Sequence, residues 1–249
     1  MNAETVVNHL VDWLREKVTE AGVNGVVVGV SGGIDSAVAA VIAKKAFPET
    51  VMALMLPCES EFTDIIHGQL LLEKFKIPFR IVDLDNAYHA LITKYESYIK
   101  IDGKKGQLLR ANIKPRLRMM TLYYSAQGRN LLVMGTSNKS EIYMGYATKW
   151  GDNAVDLQLL GDLTKKEVYE LARYLGIPDV IINKPPSAGL WTGQTDEDEM
   201  GFSYQDLDAY LEGREIDPKV SELIEKMHKQ SEHKRRGVPI AEIPASIRD

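Results

Sequence analysis

Eight consecutive residues, Gly29-Val30-Ser31-Gly32-Gly33-Ile34-Asp35-Ser36, concentrate the chemistry of the first half of the chain. An apolar run, Val26-Val27-Val28, precedes them and another, Ala37 to Ala43, follows, which is the order strand, glycine turn, helix. Such a turn sets several backbone N–H groups at a helix N-terminus, where unpaired donors and the helix dipole stabilise an anion. Gly32 and Gly33 let the backbone approach that anion with no Cβ in the way. Ser31 and Ser36 add hydroxyl donors. Asp35 is the odd member, because a carboxylate repels a phosphate unless a cation lies between them. Mg²⁺ shared between Asp35 and phosphate oxygens resolves the conflict.

A second candidate string, Gly135-Thr136-Ser137-Asn138-Lys139-Ser140-Glu141, follows the apolar run Leu131 to Gly135. In an open α/β sheet, ligands bind at the carboxyl ends of strands, so this loop should face the first. Glu141 is then a candidate second carboxylate for Mg²⁺, and Thr136 could bond a nucleotide. Taken alone, the same string also reads as an ordinary helix cap. The first loop is neither GxxxxGK[ST] nor GxGxxG. The string SGGIDS instead resembles the pyrophosphate loop of the ATP pyrophosphatases, which cut ATP between its α- and β-phosphates. That resemblance implies a way of handling ATP and leaves the acceptor open.

The elements that must position these loops follow from periodicity. Val6, Val7, Leu10, Val11, Leu14 and Val18 recur at helical spacing, which predicts a helix over about 3–21. After the loop a helix runs to about Phe47 before Pro48. Val51 to Leu56 reads as a buried strand, Thr63-Asp64 as the cap of the next helix, and Phe79 to Leu84 as a third strand. Two helical stretches split at Asp102-Gly103 fill 85–127, then Leu131 to Gly135 is the fourth strand. Helices follow at about 138–144 and 164–175, the latter with Thr164 and Glu167 as a capping box, and at about 204–212 and 217–230. Lys184 to Met200 reads as a mobile loop, its Asp196 to Glu199 run as a solvated face, and the tail after Gly237 as extended. The alternation predicts an α/β fold: a doubly wound, Rossmann-like parallel sheet in one domain with extra helices. The helix from Leu108 to Ala126 is apolar on many faces, which suits either a second subunit or burial in its own chain.

Composition narrows the class. The chain has 249 residues and a net charge of −5, so it carries no basic footprint for nucleic acid. A single cysteine, Cys58, excludes an internal disulfide and any CxxC pair. No apolar run approaches the ~20 residues of a membrane span, and residues 1–19 mix charged and apolar types, which reads as a cytoplasmic protein.

The acceptor is suggested by later strings. Asn112 to Met119, Thr136 to Glu141, Gly145 to Asp156, Asp162 to Lys165, Lys184 to Leu190 and the acidic loop with Tyr204 together resemble the ammonia-dependent NAD synthetases, over about residues 6 to 240. The resemblance implies an adenine nucleotide alpha-hydrolase-like fold and a ligase that amidates deamido-NAD with ammonia, using ATP and Mg²⁺. It implies that Gly29, Val30, Ser31, Gly32, Gly33, Ile34, Asp35, Ser36, Leu54, Arg80, Thr136, Lys165 and Ser187 bind ATP. It implies deamido-NAD binding by Arg116, Lys149, Asp156, His233 and Lys234, and metal binding by Asp35 and Glu141. No covalent nucleophile, no glutaminase domain and a homodimer are also implied. Two positions depart from the family pattern: Ser187, where Thr is frequent, and Pro115, where Ala is common. Arg116 with Arg118, and His233 to Arg236, also read as solvated charge. Two rival classes stay open: a tRNA-modifying ligase of the same superfamily and a noncatalytic nucleotide-binding module. The first would want a basic surface or relay cysteines, and the second would not need carboxylates on two facing loops.

Overall fold

A computed structural model describes residues 1–191, 193–244 and 247–248. Its helices are α1 (Ala3–Glu20), α2 (Ile34–Ala46), α3 (Phe62–Lys74), α4 (Asp85–Glu96), α5 (Gly103–Ala111), α6 (Ile113–Arg129), α7 (Lys139–Met144), α8 (Lys165–Leu175), α9 (Asp179–Ile182), α10 (Asp196–Met200), α11 (Tyr204–Leu211) and α12 (Pro218–Gln230). Its strands are β1 (Val26–Gly29), β2 (Met52–Met55), β3 (Phe79–Ile81), β4 (Leu132–Gly135) and β5 (Leu157–Gln158), all parallel and in the order β3-β2-β1-β4-β5. The chain builds outward from β1 to β3, then crosses through α4–α6 to begin again at β4. The strand order therefore reverses between β1 and β4, which is where such sheets open a crevice at their carboxyl ends.

The pleat assigns alternate residues to two cores. Val26, Val28, Ala53, Met55 and Met134 point into one, beneath α1, α2, α3 and α8. Val27, Leu54 and Val133 point into the other, beneath α4 and α6. α2 is buried almost all round, because its alanines let it lie close against the sheet, α1 and α8. Val38 and Ile42 are fully buried there, each contributing about 1.5–3 kcal/mol relative to exposure. That anchoring fixes the first turn of α2, which carries Asp35. A third cluster joins Met144 of α7 to Met200, Phe202, Tyr204, Leu207 and Ile224 of the C-terminal helices.

Several boundaries differ from the sequence reading for physical reasons. α3 begins at Phe62 with Glu61 in the cap position, so Thr63 and Asp64 lie inside its first turn. Asp64 is held there by an ion pair with Lys184. The region 85–127 holds three helices, because Pro115 cannot donate to the Ala111 carbonyl and α5 cannot run on into α6. β5 went unread, being two residues long. The acidic run is not a solvated face throughout: Asp196 is 3% exposed and opens α10, while residues 197–199 stay exposed. Cys58 is buried, and burial pushes its thiol up to about 11, as suits a packing residue.

Candidate active site

The Gly29–Ser36 loop stands at the carboxyl end of β1 and is braced from within. Ser36 Oγ accepts from Ser31 N–H at 3.1 Å and donates to the Gly33 carbonyl at 3.0 Å, and Ser31 Oγ accepts from Gly33 N–H at 3.3 Å. The two hydroxyls thus shape the loop first, rather than standing free as donors. Gly32 has φ +81°, and a Cβ there would meet the Asp64 carbonyl oxygen at 2.3 Å. Both the turn and the close approach of α3 require glycine. Val30 and Ile34 bury their side chains and leave their backbone to the loop.

Asp35 faces α7 and α8 across the crevice. Its Oδ2 lies 2.6 Å from Lys165 Nζ, and Glu141 Oε1 lies 3.2 Å from the same nitrogen. Asn138 completes the group: its Oδ1 accepts from Glu141 N–H at 3.0 Å while its Nδ2 donates to Asp35 Oδ1 at 2.8 Å. The Asn138–Glu141 capping box is therefore both a helix cap and a site device, so the two readings of this string are compatible. Lys165 is 2% exposed and its ammonium sits 4.9 Å from the Tyr204 ring centroid. Burial works against that charge, but Asp35 and Glu141 overcome it and hold the lysine above its ordinary range. Burial, and next the Asp35 charge, push the Glu141 carboxyl up to about 8.

The crevice has a volume of about 400 Å³. Gly29–Ser31, Gly33–Ser36, Leu54, Thr136, Glu141, Lys165, Lys184–Trp191 and Lys234 are on its wall. Arg118 reaches it from α6, donating to the Leu56 carbonyl at 3.0 Å and to Ser60 Oγ at 3.2 Å. Asp196 lies deeper, its Oδ2 accepting from the Tyr204 hydroxyl at 2.9 Å, and burial raises its pKa. An anion-binding loop, facing carboxylates and a buried lysine make a site suited to a nucleoside triphosphate and a divalent cation.

A model of the family described as NAD synthase matches residues 6–238. The chain belongs to the NAD synthase family. It is 63% identical, over the full length of both chains, to the NH(3)-dependent NAD(+) synthetase of Syntrophomonas wolfei subsp. wolfei. Among solved structures, an NMN synthetase from Francisella tularensis superposes with a TM-score of 0.91 at 40% identity, covering 98% of this chain and 99% of that one. An NH3-dependent NAD synthetase from Campylobacter jejuni superposes at 0.81 with 29% identity, covering 97% and 100%. The NAD synthase family thus accounts for the strings that run past the first loop, and its members share the Rossmann-like parallel sheet seen here.

The remaining expected site residues divide by position. Ser187 accepts from Gly189 N–H at 3.1 Å within the segment that lines the crevice. Lys234 Nζ donates to the Gly145 and Ala147 carbonyls at 2.9 and 2.7 Å, fastening the loop after α7. Arg80 is exposed on β3, in register with Leu54 but off the crevice wall. Arg116, Lys149, Asp156 and His233 also lie off that wall. Arg116 donates to the Lys149 carbonyl at 3.1 Å, Lys149 lies over Trp150, and Asp156 accepts from Tyr123 of α6 at 3.0 Å. Asp156 also accepts from Val133 N–H at 2.7 Å, so it pins the entry of β5 to β4. Asn138, Arg118 and Asp196 were not assigned to the site from sequence. The spacing Asn138-x-x-Glu141 signals only a cap, and nothing local marks Arg118 or Asp196 as facing inward.

Proposed function

We infer that this chain is a ligase that amidates the nicotinate carboxylate of deamido-NAD with ammonia, cleaving ATP to AMP and pyrophosphate in the last step of NAD biosynthesis. The observation that carries this reading is the Gly29–Ser36 loop, with its Asp35, facing Lys165 and Glu141 across one crevice, in a member of this family.

A carboxylate resists ammonia because its oxygen leaves poorly. Adenylation solves this: a carboxylate oxygen attacks the α-phosphorus of ATP and pyrophosphate departs. Ammonia then attacks the acyl carbon, the nitrogen loses a proton, and AMP leaves with the former carboxylate oxygen. The chain's part is placement and charge. The loop amides and the α2 N-terminus receive the phosphates, and Thr136, Ser187, Leu54 and Arg80 contribute to the nucleotide's surroundings. Lys165 opposes the charge gathering on the departing group. Asp35 and Glu141 already hold one cation between them, and hard oxygen donors that leave coordination positions for phosphate fit Mg²⁺. Bound there, Mg²⁺ supplies charge neutralisation to the phosphates. The segment 184–204 excludes water from the adenylate.

Arg116, Lys149, Asp156 and His233 hold the dinucleotide outside the crevice wall, with Lys234 at its rim. Arg116 lies on α6 and Asp156 beside it, exposed Met120 and Tyr124 are on the same helix, and Lys149 lies over exposed Trp150. We propose this face as the contact of a homodimer, with deamido-NAD at the subunit boundary. The chain works as one domain in the cytoplasm; among the described residues no helix is long and apolar enough to cross a membrane.

A second acceptor has support of its own. The Francisella NMN synthetase superposes better than the Campylobacter NAD synthetase, which favours testing nicotinate mononucleotide, the same carboxylate without the adenylate half. The test is release of AMP and pyrophosphate by the purified chain given Mg²⁺, ATP and ammonium with either acceptor. A higher kcat/KM for deamido-NAD supports the main reading, and a higher value for the mononucleotide moves the assignment to the second. Turnover with glutamine in place of ammonium would contradict both.

A further inference from the structure

α7 and α8 enter the site side by side, and their first turns share a carboxylate that belongs to neither. A helix leaves its first N–H groups without acceptors of its own. In α8 the first three are satisfied from three directions. Glu167 N–H donates to Thr164 Oγ1 at 3.4 Å, Lys166 N–H to Asp208 Oδ2 at 2.8 Å, and Lys165 N–H to Ser140 Oγ at 3.1 Å. Ser140 Oγ then donates to Asp208 Oδ1 at 2.5 Å. Asp208 lies on α11 and is 1% exposed, and Ser140 is fully buried.

Both Asp208 contacts demand an acceptor, which is why a carboxylate serves and a hydroxyl or amide serves less well. Its charge also suits the N-terminus of α8. Ser140 has no rotational choice, since it accepts from one helix and donates to the carboxylate. The two bonded positions are each one residue from, or at, the charged groups of the site: Ser140 precedes Glu141, and Lys165 itself donates to Ser140. α11 meets Lys165 again at its other end, where Tyr204 packs over the ammonium.

We propose that Asp208 is a positioning residue: through Ser140 it locks the first turn of α7 against that of α8 and so sets the 3.2 Å separation of Glu141 from Lys165. The inference rests on the roles given above to Lys165 and Glu141. The experiment compares S140A, D208N, their double variant and K165M in the deamido-NAD assay, with rates normalised to folded enzyme by thermal unfolding. The Asp208→Asn substitution keeps the volume but leaves a single acceptor oxygen. Each single variant of the relay is expected to lower kcat about tenfold to a hundredfold. The Mg²⁺ needed for half-maximal rate should rise with it, and KM for deamido-NAD should not change. The double variant should be no slower than the worse single, because both cut one relay. Wild-type kcat per folded molecule, a rise in KM alone, or multiplicative losses in the double variant would overturn the proposal. If D208N does not fold, S140A decides, since it removes one oxygen and no packing. A K165M enzyme of wild-type rate would refute the reading of Lys165; loss in K165M with full activity in S140A would refute the Asp208 proposal only.

Discussion

Replacing Lys165 by methionine should destabilise the protein and, in the same step, create a site for free Mg²⁺. Methionine preserves length and apolar volume, so the perturbation is the loss of one buried cation. Its nitrogen lies 2.6 Å from Asp35 and 3.2 Å from Glu141. At an effective dielectric of 20 those contacts correspond to about 6 and 5 kcal/mol of gross attraction. Burying the ammonium consumes much of this, and removing one member of a buried pair costs roughly 3–5 kcal/mol in net stability. The side chains of Asp35 and Glu141 keep 16% and 15% of their exposure, so water relieves part of the loss. The lower end, about 3 kcal/mol, is the expectation. For a chain of this size that is a fall in Tm of roughly 6–12 °C. Millimolar Mg²⁺ without ATP should then restore much of the loss in K165M and shift the wild type little, because Lys165 already occupies the carboxylates. Thermal unfolding by circular dichroism across a Mg²⁺ series reads both effects. A K165M protein as stable as wild type, with no Mg²⁺-dependent rise, would refute the reasoning.

Three further outcomes are expected. Asp35→Ala and Glu141→Ala should each reduce Mg²⁺-dependent turnover to roughly a hundredth or less of wild type, and a wild-type rate in either would remove that residue from the metal site. Because burial and the Asp35 charge hold the Glu141 carboxyl above its ordinary range, protons compete with the metal for it as pH falls. Half-saturating Mg²⁺ should therefore fall as pH rises from roughly 6.5 toward 8.5, and a flat profile would contradict this. Gly32→Ala should cost about 1–2 kcal/mol for its positive φ alone, and more for the approach to the Asp64 carbonyl. Chemical denaturation together with KM for ATP would measure it, and a neutral result would show that the loop does not need its left-handed turn.

Much of this architecture was legible because it rests on local signals. β1, the glycine turn and α2 are three adjacent patterns, and the Thr164–Glu167 capping box is a spacing that the structure repeats. The parallel order followed from alternation of strand and helix. What stayed hidden depends on tertiary neighbours. β5 is a strand only through its pairing with β4, Leu157 against Met134 and Gln158 against Gly135. Asp196 looks like one of four surface acids until α11 closes over it, and its burial is visible only in the fold. Asn138 reads as a cap, and its second bond goes to a residue more than a hundred positions away. Pro115 marks the break between α5 and α6, but in the sequence it stands out only as a departure from the family pattern.

The central claim is that this crevice transfers AMP to the acceptor's carboxylate, and oxygen labelling tests it most directly. Deamido-NAD carrying ¹⁸O at both oxygens of its carboxylate would be turned over with ATP, Mg²⁺ and ammonium, and the products analysed by mass spectrometry. Adenylation predicts one ¹⁸O atom in each AMP and none in pyrophosphate. Label released to water or found in pyrophosphate, with AMP unlabelled, would contradict it.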